Sequence, residues 1–252
     1  MGLALHAEWT KLRTLAGTWW LLLAAAASFH CGPGGCALQQ TGADPAKLSL
    51  TGVILGQVVI ALVAVLAIGG EYGTGMIHLT LTAVPRRLTA FTAKALVMAG
   101  SAVAAAVLAV GGSALVGWLI LPGRGLTAAN GYVPLSLGTA AGLRATGGSI
   151  LYLTLIALLA FGVTAAVRDS ATGIGVVLGV LFLLPIISAV IPDQPLARHL
   201  KQIAPMTTGL YVQVTEGVRQ LPLTPWQGLG VTALWAAGAL IAGAAVLRYR
   251  DA

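Results

Sequence analysis

Seven carboxylates, four histidines and two cysteines are the chain's stock of groups for bond-making chemistry. Their spacing supports none of the usual arrangements. His6, His30, His78 and His199 are scattered and lack metal-ligand spacing. There is no H-E-x-x-H, no G-x-S-x-G and no pair of carboxylates at a spacing suited to acid–base work. There is no G-x-x-x-x-G-K-[ST] either, so the chain cannot cradle a nucleotide by that route. Cys31 and Cys36 flank a Gly32-Pro33-Gly34-Gly35 run. They read either as two unpaired small apolar residues or, in an oxidising compartment, as a disulfide. An enzyme is not expected, nor a resident metal.

Three segments carry polar residues that apolar packing does not explain. The first is the N-terminus, where Leu5, Trp9, Leu12 and Ala16 fall on one helical face, with Lys11 and Arg13 among the polar residues around it. A short basic helix with Trp on its apolar face lies in the headgroup plane of a membrane. An ordinary charged anchor before a membrane span is the simpler alternative. The second is Glu71–Lys94, EYGTGMIHLTLTAVPRRLTAFTAK. Glu71 follows Gly69-Gly70 at the end of a long apolar run, and a carboxylate so close to lipid must be paired or face water. Thr74–Val84 can form a short helix that Pro85 ends. Arg86 and Arg87 then open a second turn, and Lys94 marks entry into the next apolar run. This two-piece elbow has more organisation than a turn requires, although an interfacial loop with basic anchors uses the same residues. The third is Arg168-Asp169-Ser170, where Asp169 or Ser170 can cap the following helix.

The elements that position these residues follow from composition. The chain is 58% hydrophobic and 8% charged, with a mean hydropathy of +0.91. Soluble domains carry about 25% charged residues, and this chain has too few to cover a water-facing surface. The formal charge of +7 does not indicate nucleic acid. The fourteen Lys and Arg sit singly or in pairs between apolar runs, as membrane-flanking anchors do.

A membrane helix needs about 20 apolar residues. Six stretches qualify, giving an all-α, polytopic membrane fold in one domain: roughly 18–38, 51–70, 93–121, 143–167, 171–191 and 226–247. The first is the weakest, because Pro33 and its neighbouring glycines break it. A cleavable signal peptide has a similar layout. Gly52/Gly56 and Gly175/Gly179 allow close helix approach, within the bundle or between copies. In the segment Pro192–Pro225, Ile203, Met206, Leu210, Tyr211 and Val214 have helical spacing. Either a short interfacial helix or a plain loop fits there.

Six spans place both termini on one side. Segments on that side hold Lys11, Arg13, Arg86, Arg87, Lys94, Arg168, Arg248 and Arg250, and the opposite segments hold Lys47, Arg124, Arg144, Arg198, Lys201 and Arg219. The first set sits in shorter segments close to the spans, so the positive-inside rule places both termini in the cytoplasm.

Taken together, AEWTKLRTLAGTWW, GEYGTGMIHLTLTAVPRRLTAFTAKAL and RDSATGIGVVLGVLFLLP resemble segments of the type-2 ABC-transporter permease family, especially its short actinobacterial members. The resemblance runs over essentially the whole chain. It implies a permease subunit of the bacterial plasma membrane, an exporter, without a nucleotide site of its own. Two such subunits, copies or paralogues, pair in the membrane. Each docks on a cytoplasmic ABC ATPase that holds ATP and Mg. The coupling helix maps to Thr74–Val84, inside a contact region of Glu71, Tyr72, Thr74, His78, Pro85, Arg86 and Arg87. The interfacial helix maps to 3–16, with Trp9, Lys11 and Arg13. The chain departs from the family at Gly73 and His78, where basic residues are common. A non-transporting membrane protein, such as a sensor, immunity or assembly factor, is the alternative that the spans alone permit. Membrane lipid is a partner in either case, and nucleic acid in neither.

Overall fold

The computed structural model describes residues 50, 52–73, 87–120, 139–215 and 217–250. The first expected span, the N-terminal helix and the Thr74–Val84 helix lie outside them. The described residues form helices and connecting turns without any strand. Their elements are α1 (Gly52–Gly73), α2 (Arg87–Ile120), α3 (Ala140–Val167), α4 (Ser170–Leu178), a π-helical turn (Gly179–Leu183), α5 (Leu184–Val190), α6 (Gln194–Ile203), α7 (Pro205–Gly209), two 3-10 turns (Leu210–Gln213 and Val218–Gln220) and α8 (Pro225–Arg250).

Five stretches are long and apolar enough to cross a membrane: Gly52–Gly73, Leu88–Gly112, Ala140–Val167, Ser170–Val190 and Pro225–Tyr249. They match the second to sixth expected spans. The boundaries differ in informative ways. α1 runs three residues past Gly70 and so carries Glu71 and Tyr72 on helix. α2 begins at Arg87 rather than Ala93, so Lys94 lies two turns inside it. The fifth span is one rod with a π turn before Pro185. Proline lacks an amide hydrogen and its ring clashes with the carbonyl four residues back, and a wider turn there accommodates both demands.

α3 is the central helix, packing most extensively on α8, then on α1 and α2. Its buried hydroxyls satisfy themselves locally. Thr146, Ser149, Thr154 and Thr164 donate to the carbonyls of Gly142, Ala145, Ile150 and Ala160 at 2.7–2.9 Å. Back-bonding of this kind leaves no donor that needs water. The outward faces are large and greasy: Leu96, Leu108, Val190, Leu234 and Ile241 are each more than 60% exposed. In water such a surface would drive aggregation; against acyl chains it carries no such penalty. Trp226 and Tyr249, both exposed, stand at opposite ends of α8, as interfacial aromatics do. The two glycine pairs separate: Gly52 and Gly56 are buried in the bundle, whereas Gly175 and Gly179 face open space.

Residues 191–224 are neither a plain loop nor one helix. The spacing from Ile203 to Val214 is interrupted at Ala204, where extended backbone precedes Pro205, the geometry a residue before proline prefers. The segment folds back onto the bundle. The Trp235 indole donates to Ile203 O at 2.9 Å, Thr232 Oγ1 to Pro205 O at 3.1 Å, Gln213 Nε2 to Ser149 Oγ at 3.1 Å and Arg144 to Val214 O at 2.7 Å.

Deeper in the bundle the Tyr152 hydroxyl donates to Gln57 Oε1, both side chains being fully buried. Gln57 Nε2 has no hydrogen-bond partner among the described residues. Tyr152→Phe alone should therefore cost about 1–3 kcal/mol, because it strands the rest of the Gln57 amide. Adding Gln57→Leu should recover most of that loss. Unfolding free energies of the two single variants and the double variant check this, and additive losses would contradict it.

Candidate coupling site

The last turn of α1, the start of α2, the α3–α4 turn and the end of α8 meet at one end of the bundle. Their side chains explain why. Glu71 Oε2 pairs with Lys94 Nζ, linking α1 to α2. Both side chains are about 30% exposed, so the pair is half-shielded from water and its carboxylate has the partner that the sequence demanded. The Tyr72 hydroxyl donates to Ala165 O at 3.4 Å, and the Arg168 guanidinium lies over the Tyr72 ring, 5.9 Å from its centroid. Arg168 also donates to Val246 O at 3.3 Å, reaching α8. Its backbone is left-handed, with φ of 64°, and its N–H closes α3 by bonding Thr164 O. A left-handed residue after a helix redirects the chain, and here it projects the side chain toward α1 and α8.

Beneath these polar contacts lies a small apolar cluster of Ile68, Phe91, Phe161, Ala165 and Leu247. The Phe91 and Phe161 rings are 5.3 Å apart and tilted by 43°, a geometry worth about 0.5–1.5 kcal/mol beyond area burial. Gly69 allows α1 to touch α4: a Cβ there would sit 2.2 Å from Ser170 Oγ. Four helix ends are thus fastened to one another where the chain enters and leaves the elbow.

Asp169 starts α4. Its carboxylate accepts from Thr172 N–H at 2.6 Å and from Thr172 Oγ1 at 2.7 Å. These bonds, the backbone one first, hold its pKa below the ordinary value. A depressed folded-state pKa contributes stability that is present above the unfolded-state value and lost as pH falls through the folded one. Asp169→Asn should remove that acid-side dependence while keeping an acceptor for Thr172. Thermal unfolding followed from neutral to acidic pH checks this, and an unchanged acid limb would contradict it.

Of the residues singled out in the sequence, Glu71 and Tyr72 are brought together here, and Arg87 is the first residue of α2. Thr74, His78, Pro85, Arg86, Trp9, Lys11 and Arg13 lie outside the described residues. Two contributors carry no signal of this role in the sequence, where Lys94 marks only the entry into a span and Arg168 only a capping turn. Both are long cations within reach of the Glu71–Tyr72 turn, and an acid at lipid depth was the signal that a cation had to be near. The arrangement offers no nucleophile with a base. What the described contacts do is join the ends of α1, α2, α3 and α8 through paired side chains.

The fold is that of an all-helical protein whose described part holds five helices able to cross a membrane, the pattern of a multi-pass membrane protein. No family model matches the chain, and no curated protein matches it.

Proposed function

We propose that this chain is the membrane-spanning permease subunit of an ATP-driven exporter, powered by a separate cytoplasmic ATPase that binds ATP and Mg. It works as a dimer with a second copy or a paralogue, in a bacterial plasma membrane with both termini cytoplasmic. The observation that supports this best is the Glu71–Lys94 pair, with the Tyr72–Arg168 contact beside it. An elbow that only joined two spans would need no such fastening to two other helices.

In this reading ATP binding closes the two ATPases and their motion presses on Thr74–Val84. Glu71 and Lys94 keep the two legs of the elbow together, so the push becomes a rigid-body tilt of α1 with α2. Arg168 carries the tilt to α3 and α8. Rigid elements moving about packed interfaces turn small displacements into two-state changes. The first expected span, 18–38, and the interfacial helix at 3–16, with Trp9, Lys11 and Arg13, complete the subunit.

Affinity purification of the chain from its native membrane should bring down a small ATPase. A variant lacking Thr74–Val84 should fold, reach the membrane and lose that ATPase. Retention of the ATPase by the deletion variant would contradict the proposal.

A further inference from the structure

We propose that α6 is a re-entrant limb, and that Arg198 and Lys201 on it line a water-filled cleft inside the half of the membrane away from the coupling site, a binding place for an anionic group. The inference rests on the membrane setting and stands whether or not the chain works with an ATPase.

Trp226 and Tyr249 mark the two interfaces on α8. Trp235 lies nine residues in from Trp226, about 13 Å at 1.5 Å per residue, near the middle of a hydrocarbon layer about 30 Å thick. Its indole donates to Ile203 O at 2.9 Å, so the last residue of α6 sits at that level. The fifth span gives the same depth. α7, which follows α6, packs against the π turn Gly179–Leu183. That turn begins nine residues along from Ser170, about 14 Å from the coupling end. Val190, at the end of α5, is about 30 Å from Ser170, one full hydrocarbon thickness, and α6 packs against α5. The chain thus surfaces at Ile191–Asp193, sinks again as α6 beside α5, and turns back at Ala204-Pro205. Its return is tied at Thr232, Ser149 and Arg144 in succession, toward the surface ends of α8 and α3.

On a period of 3.6 residues, Lys201, Arg198, Gln202 and His199 form one continuous arc of about 160° on α6. Arg198, His199 and Lys201 are exposed and Gln202 is half-buried. Ala197 is buried to one side of the arc, and the exposed Leu196 and Ile203 take the remaining side. Charged groups within a membrane face water or an opposite charge. Among the described residues neither Arg198 nor Lys201 has an ion-pair partner. Asp193, the only acid between Ile191 and Thr215, precedes the first turn of α6, at the surface end. Water therefore reaches the polar arc, while Leu196 and Ile203 meet acyl chains. Low-dielectric walls focus the field of fixed cations in such a cleft. Arg198 brings paired N–H donors suited to an oxyanion and Lys201 a point charge, so the group that fits is a phosphate, sulfonate or carboxylate.

The full chain in phosphatidylcholine nanodiscs, with Cys31 and Cys36 replaced by serine, tests this. Both faces of a nanodisc are open, so the result depends neither on orientation in the cell membrane nor on an ATPase. A cysteine at Gln202 should react with a sulfonate-bearing methanethiosulfonate, which does not enter lipid. After normalisation to a free thiol, that reaction should be on the order of tenfold faster than with the trimethylammonium analogue, given two nearby cations. A cysteine at His199, exposed on the same arc, should behave alike. In R198Q/K201Q the two rates should approach parity, with the melting temperature unchanged. Inorganic phosphate, at constant ionic strength, should slow the sulfonate reagent severalfold in the chain that keeps both cations. A bimane on a cysteine at Ile203 should be quenched more by lipids brominated deep in the acyl chain than by lipids brominated near the headgroup. Thiols at both Gln202 and His199 that do not react would place the arc in lipid and overturn the proposal. So would equal rates with both cations present, a preference that survives R198Q/K201Q, a sulfonate rate indifferent to phosphate, or stronger quenching by the shallow bromines.

Discussion

In the proposed complex with a cytoplasmic ATPase, Glu71→Lys is expected to lower the stimulated ATPase rate at least tenfold, about 1.4 kcal/mol of lost coupling, while the bundle remains folded. The substitution sets two ammonium groups against each other at a half-shielded site. α1 and α2 are then pushed apart where the proposed mechanism has them move as one. The effect should be largely reversed by Lys94→Glu in the same chain, which restores an ion pair of opposite sense. That reversal distinguishes a link between two helices from a direct contact of Glu71 with the ATPase, which the swap would not repair. Half-exposed ion pairs contribute only on the order of 1 kcal/mol to stability, so melting should change little. A charge-swapped double variant as inactive as Glu71→Lys would remove the pair from the mechanism.

Gly162→Val is expected to be among the most destabilising single substitutions in the bundle, at about 3 kcal/mol. α3 and α8 approach so closely that a Cβ at Gly162 would lie 2.5 Å from the Ala239 carbonyl carbon and 2.6 Å from the Leu240 nitrogen. These are backbone atoms of a packed helix and cannot swing aside as a side chain would. Gly243 answers from the other helix, where a Cβ would stand 2.8 Å from Gly162 O. In lipid, helix association rests on such close packing, because apolar burial supplies no force between helices that acyl chains do not also supply. Gly238→Val is the matched control on the same helix, since its Cβ position is open. It should change stability by no more than about 0.5 kcal/mol. Unfolding in mixed micelles checks both, and equal losses would show that the α3–α8 contact is not the tight one.

Much of this architecture is legible in the residues because lipid imposes so simple a rule. Runs such as those of α3 and α8 can be found from hydropathy alone, and the structure extends them by three residues or fewer at each end. The errors concentrate where polar residues continue a helix. Gly69-Gly70 looks like a terminator, but Gly69 is small because Ser170 lies against it, and the helix continues through Glu71. Thr89, Thr92 and Lys94 look like an approach to a span. They are helical because Lys94 has Glu71 as its partner. The requirement for a partner could be read from Glu71 itself, whereas the identity of that partner needed the relative register of α1 and α2. The fold-back of residues 191–224 was harder still. Its bonds to Ser149, Thr232 and Trp235 join groups far apart in the chain, and no local pattern encodes them.

A permease subunit of the proposed kind has the segment between α1 and α2 facing the compartment that holds ATP. A cysteine placed at His78, in a chain whose Cys31 and Cys36 are replaced by serine, tests it with a membrane-impermeant maleimide. No labelling is expected in intact cells and full labelling in inside-out vesicles. Labelling in intact cells, with protection in the vesicles, would contradict it.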